Sequence, residues 1–228
     1  MSRNIEFSID EYYHLYNRGT DKRKIFTTSG EYSRFLILLY LCNGSIKVDI
    51  GDYLNQGLTL SEIFEVDKGK ELVSIGTYCL MPNHFHILIR EKEENGTSLF
   101  MQKLQTAYTM YFNKKHVRTG SLFQGTFKAQ YVTKDTYLKY LFAYINLNPI
   151  KLIDPDWKEN GIKNLIESEE YLGSYKYSSY LDLIGVKRVE ASILNMSEFP
   201  DYFNSELKFK DFIQEWLNFK NLDDSDKV

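Results

Sequence analysis

Residues 71 to 91, ELVSIGTYCLMPNHFHILIRE, are two apolar runs joined by Pro82-Asn83. The runs are long enough for strands, and Pro-Asn is a turn signal. Strands joined by so tight a turn pair antiparallel, as a hairpin. The second strand holds His84 and His86, half of the four histidines in the chain. Strand side chains alternate between faces, so residues two apart point the same way. The two imidazoles therefore project together, and Phe85, Ile87 and Ile89 point to the opposite face. Two imidazoles on one face are a candidate metal site or acid/base pair, and the spacing alone does not choose.

The hairpin lies inside a longer alternation. Residues 12 to 16 alternate as a strand ending near Tyr16, and Asn17-Arg18-Gly19 turns the chain. SGEYSRFLILLYLCNG carries a Ser cap, a helical apolar pattern and a Gly stop, which predicts a helix from about 29 to 42. Residues 44 to 70 form an insertion with one helical turn in TLSEIFEVDKG. After the hairpin, Leu99, Leu104, Tyr108, Tyr111 and Phe112 form the stripe of a helix of about 16 residues. GSLFQGTFKAQYVT is loop then strand. KDTYLKYLFAYINLNP is a helix that ends at or before Asn148, because Pro149 disfavours helix in its predecessor. The order β-α-β-β-α-β-α predicts an α+β fold of the ferredoxin-like, split βαβ type. Its antiparallel sheet carries helices on one face, and an extra helix follows. The His-bearing strand is then central and next to the first, with His84 and His86 on the open face. Residues 1–153 read as one domain, and 154–228 as a C-terminal helical extension wrapping the core.

The 43% apolar content of the 228 residues supports a core. Cys42 and Cys79 have neither metal-ligand spacing nor the pattern of a disulfide framework. No apolar leader opens the sequence and no run reaches the ~18 apolar residues of a membrane span. The expectation is a cytoplasmic protein without membrane contact. The net charge of −3 argues against a nucleic-acid partner until its distribution is seen. Residues 101 to 153 hold eight basic residues against Asp135 alone, and residues 154 to 228 hold nine against sixteen acidic ones. A basic segment next to the His pair suits phosphate binding.

On the helix before Asn148, Tyr137, Tyr140, Tyr144 and Asn148 are spaced three, four and four apart and share a face. Tyr144 and Asn148, one turn apart, can bring a phenol and a carboxamide oxygen to one point. Together PNHFHILI, GSLFQGTFKAQYV, DTYLKYLFAYINLNPIK and YKYSSY resemble the IS200-like (Y1) transposase superfamily, and most closely its REP-associated tyrosine transposase branch. The resemblance covers about residues 10 to 182. The insertion at 44–70 and the acidic extension depart from the family pattern.

The resemblance implies an HUH endonuclease, with His84-Phe85-His86 as its histidine–apolar–histidine motif. By its pattern Tyr144 is the nucleophile, and His84, His86 and Asn148 hold a divalent metal, Mg²⁺ or Mn²⁺. Related IS200 enzymes often place Gln at the third ligand, so Asn148 points to the REP-associated branch. The implied reaction is metal-dependent cleavage and strand transfer of single-stranded DNA, bearing a hairpin, through a 5′-phosphotyrosine. Neutral ligands leave the cation's charge to stabilise the transition state. A phenolate leaves far more readily than an alkoxide, so the freed 3′-OH can reverse the step without ATP. Arg18, Lys22, Arg23, Lys114, Lys115, Arg118 and Lys128 are candidate phosphate contacts. The protein would act as a monomer or a homodimer.

The alternative is a non-catalytic, host-adapted protein that binds single-stranded DNA or hairpins. It would need the basic segment but not His84, His86 and Tyr144 together. A two-histidine phosphoesterase needs two separate His-x-Ser/Thr motifs, which His14 and His116 do not supply. A zinc hydrolase on a barrel needs an early HxH, further ligands and a longer chain.

Overall fold

The computed structural model describes residues 5–47, 50–203 and 205–218. Four strands form its sheet: β1 Tyr12–Arg18, β2 Val73–Met81, β3 His84–Glu91 and β4 Lys128–Tyr131. Their spatial order is β2-β3-β1-β4, and every neighbouring pair is antiparallel. This is the split βαβ arrangement, with β1 and β3 at the centre. Strand β1 runs two residues past Tyr16, because Arg18 pairs with His84 and its carbonyl accepts from Gln124 N–H at 2.8 Å. The turn then starts at Gly19, where a Cβ would strike the Arg23 carbonyl.

One face of the sheet carries α1 Ser29–Cys42 and α3 Gly96–Lys115. Phe85, Ile87 and Ile89 are buried there with Phe35, Leu104 and Tyr108. Helix α3 is 20 residues long, and its buried stripe runs through Phe100, Leu104, Tyr108 and Phe112. Leu99, 44% exposed, lies off that stripe. The insertion contains α2 Ile50–Asn55 and a 3₁₀ turn, Glu62–Glu65. Ile50, Ile63 and Phe64 bury their side chains in the same apolar layer.

The other face is covered, so the expectation of helices on one face only does not hold. Helix α4, Asp135–Leu147, packs across β2 and β3. It continues into a 3₁₀ helix, Asn148–Leu152, with Pro149 in its first turn, where a missing N–H costs nothing. Then follow α5 Trp157–Asn160, α6 Leu165–Ser174, α7 Tyr180–Leu183 and α8 Glu206–Leu217. Trp157, Leu172, Leu181, Phe209 and Ile213 join Cys79, Met81 and Leu88 in a second apolar layer. These side chains bury the sheet face that would otherwise lie open. Consequently His86 is buried and His84 half-buried. Among the described residues, no helix is long and apolar enough to cross a membrane.

Candidate active site

Register places the site. Arg18 pairs with His84, Tyr16 with His86, and His14 with Leu88, while on β4 Lys128 opposes Tyr16 and Gln130 opposes His14. Directly opposed residues share a face. His14, Tyr16, Arg18, His84, His86, Lys128 and Gln130 therefore lie on one surface, beneath α4.

The His84 and His86 ring centroids are 5.1 Å apart. His84 Nδ1 donates to Asn83 Oδ1 at 2.7 Å, which leaves the lone pair on Nε2. His86 Nδ1 lies 2.8 Å from His14 Nε2. With His86 as donor in that pair, its Nε2 also presents a lone pair. His14 is thus a third imidazole of the cluster. Its signal in the sequence is the His14, Tyr16, Arg18 alternation, and only the β1–β3 register joins it to His86 across 72 residues.

All three imidazoles are kept neutral. Burial pushes His84 down to about 4, helped by Lys151, Arg18 and Lys158. Burial also brings His14 down to about 3, with Lys158 adding to it. His86 falls well below its ordinary value through burial first, then its two His neighbours and Lys158 and Lys151. Neutral imidazole is the form that binds metal.

Helix α4 brings Tyr144 over this surface, its ring edge-on to His86 at 5.6 Å and to His14 at 5.9 Å. Tyr140 follows on the same face, 5.7 Å from Tyr144, and Tyr137 lies 5.9 Å from Tyr140. One turn past Tyr144, Asn148 is fully buried. Its Nδ2 donates to the Tyr144 carbonyl at 2.7 Å. Its Oδ1 is buried without a hydrogen-bond partner. A buried orphan acceptor one turn from Tyr144, and two imidazoles with available lone pairs, are neutral donors of the kind a divalent cation takes. Among the described residues no three His, Cys, Asp or Glu side chains form a metal cluster.

Two cavities open on the cluster. One, of about 310 Å³, is bounded by Arg18, Lys22, Lys128, Asn17, Gln124 and His84. The other, of about 280 Å³, lies between His14, His86, Gln130 and the three tyrosines of α4. Of the seven candidate phosphate contacts, then, Arg18, Lys22 and Lys128 come together beside His84. The others do not. Lys115 pairs with the buried Glu31 carboxylate at 2.7 Å. Arg118 donates to Asn113 Oδ1 at 2.6 Å and to the Ser121 carbonyl at 3.1 Å. Arg23 lies 3.6 Å from Asp21, and Lys114 is exposed near the end of α3. Lys151 and Lys158, which act on the imidazoles from beyond Asn148, have no motif to reveal them in the sequence.

An antiparallel split βαβ sheet with paired histidines on a central strand and a tyrosine-bearing helix across them defines the class: an α+β protein of HUH type. The family model described as "Transposase IS200 like" matches residues 9–148. The chain belongs to that family, a family of transposases. No curated protein matches the chain. Among solved structures it is similar to a REP-associated tyrosine transposase bound to a REP hairpin, at 11% identity and a TM-score of 0.51. The similarity covers 83% of this chain and 90% of that one, and at such identity it speaks for the fold.

Proposed function

We propose that the protein cleaves and rejoins single-stranded DNA through Tyr144, as a REP-associated tyrosine transposase. Its substrate is a strand flanked by a hairpin. His84, His86 and Asn148 would hold Mg²⁺ or Mn²⁺. When bound, the cation supplies Lewis-acid polarisation of a non-bridging phosphate oxygen. The orphaned Asn148 Oδ1, one turn from Tyr144, carries this reading.

The protein's own groups then do the following. Arg18, Lys22 and Lys128 bind backbone phosphates in the cavity beside His84 and set the strand's register. Helix α4 presents the Tyr144 hydroxyl for in-line attack. The phenol gives its proton to solvent, an O–P bond forms, the P–O3′ bond breaks, and O3′ takes up a proton. Reversal uses the same groups. Residues 1–153 supply the imidazoles, the tyrosine and the basic cavity, and the described helices beyond residue 153 add to the cover that α4 begins.

Incubation with single-stranded hairpin DNA and Mn²⁺ should give a protein–DNA adduct stable to denaturant. Tyr144→Phe should abolish it, while Tyr140→Phe and Tyr137→Phe should retain it. Hairpin binding without any adduct would favour the non-catalytic alternative. An adduct mapped to another tyrosine would displace Tyr144.

A further inference from the structure

Lys158 lies beyond residues 9–148, the span matched by the family. Its ammonium nevertheless sits 3.8 Å from the centroid of the Tyr144 ring. The chain that presents it is tightly folded. Asn148–Leu152 is a 3₁₀ helix, Asp154 N–H donates to the Ile150 carbonyl at 2.8 Å, and Trp157 N–H donates to the Asp154 carbonyl at 3.3 Å. Trp157, 2% exposed, anchors the next residue in the apolar layer under α4. The position of Lys158 is therefore set by the same short segment that begins at Asn148. Its charge also reaches the imidazoles, being among the groups that lower His14, His84 and His86.

A cation over an aromatic face is attracted by the electron density of the ring. That density rises as the phenol oxygen gains negative charge, so the attraction is stronger to a phenolate than to a phenol. An interaction that strengthens along the reaction coordinate accelerates the step. The Tyr144 oxygen carries such charge in both directions: as it attacks phosphorus, and as it leaves when O3′ attacks the phosphotyrosine. One lysine can therefore serve cleavage and rejoining alike without shifting the balance between them.

We propose that Lys158 is a positioning residue for Tyr144, holding the ring and stabilising the charge that develops on it. The C-terminal extension would thereby complete the active site. This rests on the reading of Tyr144 as nucleophile.

The test compares wild type, Lys158→Met, Lys158→Arg and Tyr144→Phe on single-stranded hairpin DNA with Mn²⁺, each checked for an unchanged thermal transition. At saturating DNA, Lys158→Met should slow adduct formation by about tenfold, with hairpin Kd within about twofold of wild type. Lys158→Arg should recover most of the rate. Release of the DNA from a preformed adduct by added 3′-OH strand should slow by a similar factor. Adduct formation by Lys158→Met at the wild-type rate would overturn the proposal. So would an effect confined to Kd, which would make Lys158 a phosphate contact, or an arginine variant as slow as the methionine one. Failure of the underlying reading looks different: wild type and Tyr144→Phe would then behave alike, and the role of Lys158 would fall with it.

Discussion

Asn148 puts two demands on one carboxamide: its nitrogen ties back to the Tyr144 carbonyl, and its oxygen is buried with nothing to accept from. A buried acceptor left unpaired costs about 1–3 kcal/mol. Asn148→Leu should then leave the metal-free protein no less stable, and abolish Mn²⁺-dependent adduct formation. Asn148→Gln, which keeps an amide oxygen, should retain part of the activity. Thermal melts with and without Mn²⁺, read beside adduct yield, check both; adduct formation by Asn148→Leu would remove it from the ligand set. His14 stands one step further out. A ligand's other ring nitrogen is usually held by a partner, whose loss weakens metal binding by about 10–100-fold. His14→Phe should weaken Mn²⁺ binding by roughly that factor, and His14→Gln, which can still accept from His86 Nδ1, by much less. Calorimetric titration with Mn²⁺ decides it, and unchanged affinity in both variants would make His14 a packing residue. His84, His86, Tyr144 and Asn148, the residues proposed for the site, each belong to a short local pattern that the sequence displays. His14 and Lys158 belong to none, because what they do depends on strand register and on a turn beyond the motif.

Elements were legible where local chemistry decides them. The apolar run of α1 falls on Ser29–Cys42, although Thr28 and not the expected Ser is its N-cap, and Pro149 ends α4 at Leu147. The covering of the second sheet face was less legible, since the sequence after residue 153 lacks a strong period and its described helices owe their placement to what they pack on. A buried polar knot locks that cover to the sheet. Asn146 Nδ2 donates to Thr77 Oγ1 at 2.8 Å, Thr77 and Ser179 hydroxyls are 2.6 Å apart, and Ser179 Oγ accepts from Tyr78 N–H at 3.0 Å. Asn146 lies between Tyr144 and Asn148, so the knot also fixes the rotation of α4. Asn146→Leu leaves buried groups unpaired and should cost about 1–3 kcal/mol. At roughly 2–4 °C per kcal/mol for a chain this long, the loss shows in the thermal transition. Adduct formation should fall more than hairpin binding, because α4 can then rotate. A variant as stable as wild type would show that the knot does not hold α4.

At the scale of the whole molecule, charge and acid response follow from how the fold spends its basic and titratable groups. The basic excess of residues 101 to 153 is scattered: Lys103 turns to the Gly44 and Ile46 carbonyls, Lys115 to Glu31, and Lys128 to the site. The cavity beside His84 gathers its cations instead from two segments far apart in sequence, the end of β1 with the turn after it (Arg18, Lys22) and β4 (Lys128). Lys128→Ala and Arg18→Ala should each weaken hairpin binding and reduce its salt slope by about one. Lys115→Ala should lower the thermal transition, because it removes the close cation from a buried carboxylate. Equilibrium binding at several salt concentrations, with melts, separates the two kinds of lysine. Acid acts on the same fold through two sets of groups. His14 and His84 have folded values of about 3 and about 4, below the ordinary 6.5, and His86 lies lower than normal as well. The unfolded chain therefore takes up protons first, and stability falls as pH drops from about 6.5 toward 4. Burial works to raise the Glu31 carboxyl, but hydrogen bonds from Lys115, Thr27 and His116 hold it down to about 2. Its contribution is present above its ordinary value and is lost as pH falls through the acid range below 4.5. Metal-free protein should accordingly begin to lose stability between pH 6.5 and 5, before carboxylates titrate. Mn²⁺ should raise the melting temperature at pH 7.5 and do so progressively less toward pH 5, since protons compete for the imidazoles. His86→Ala should abolish the Mn²⁺ increment at every pH. A melting temperature flat from pH 7.5 to 5 would contradict neutral buried imidazoles. An Mn²⁺ increment that survives in His86→Ala would place the metal elsewhere.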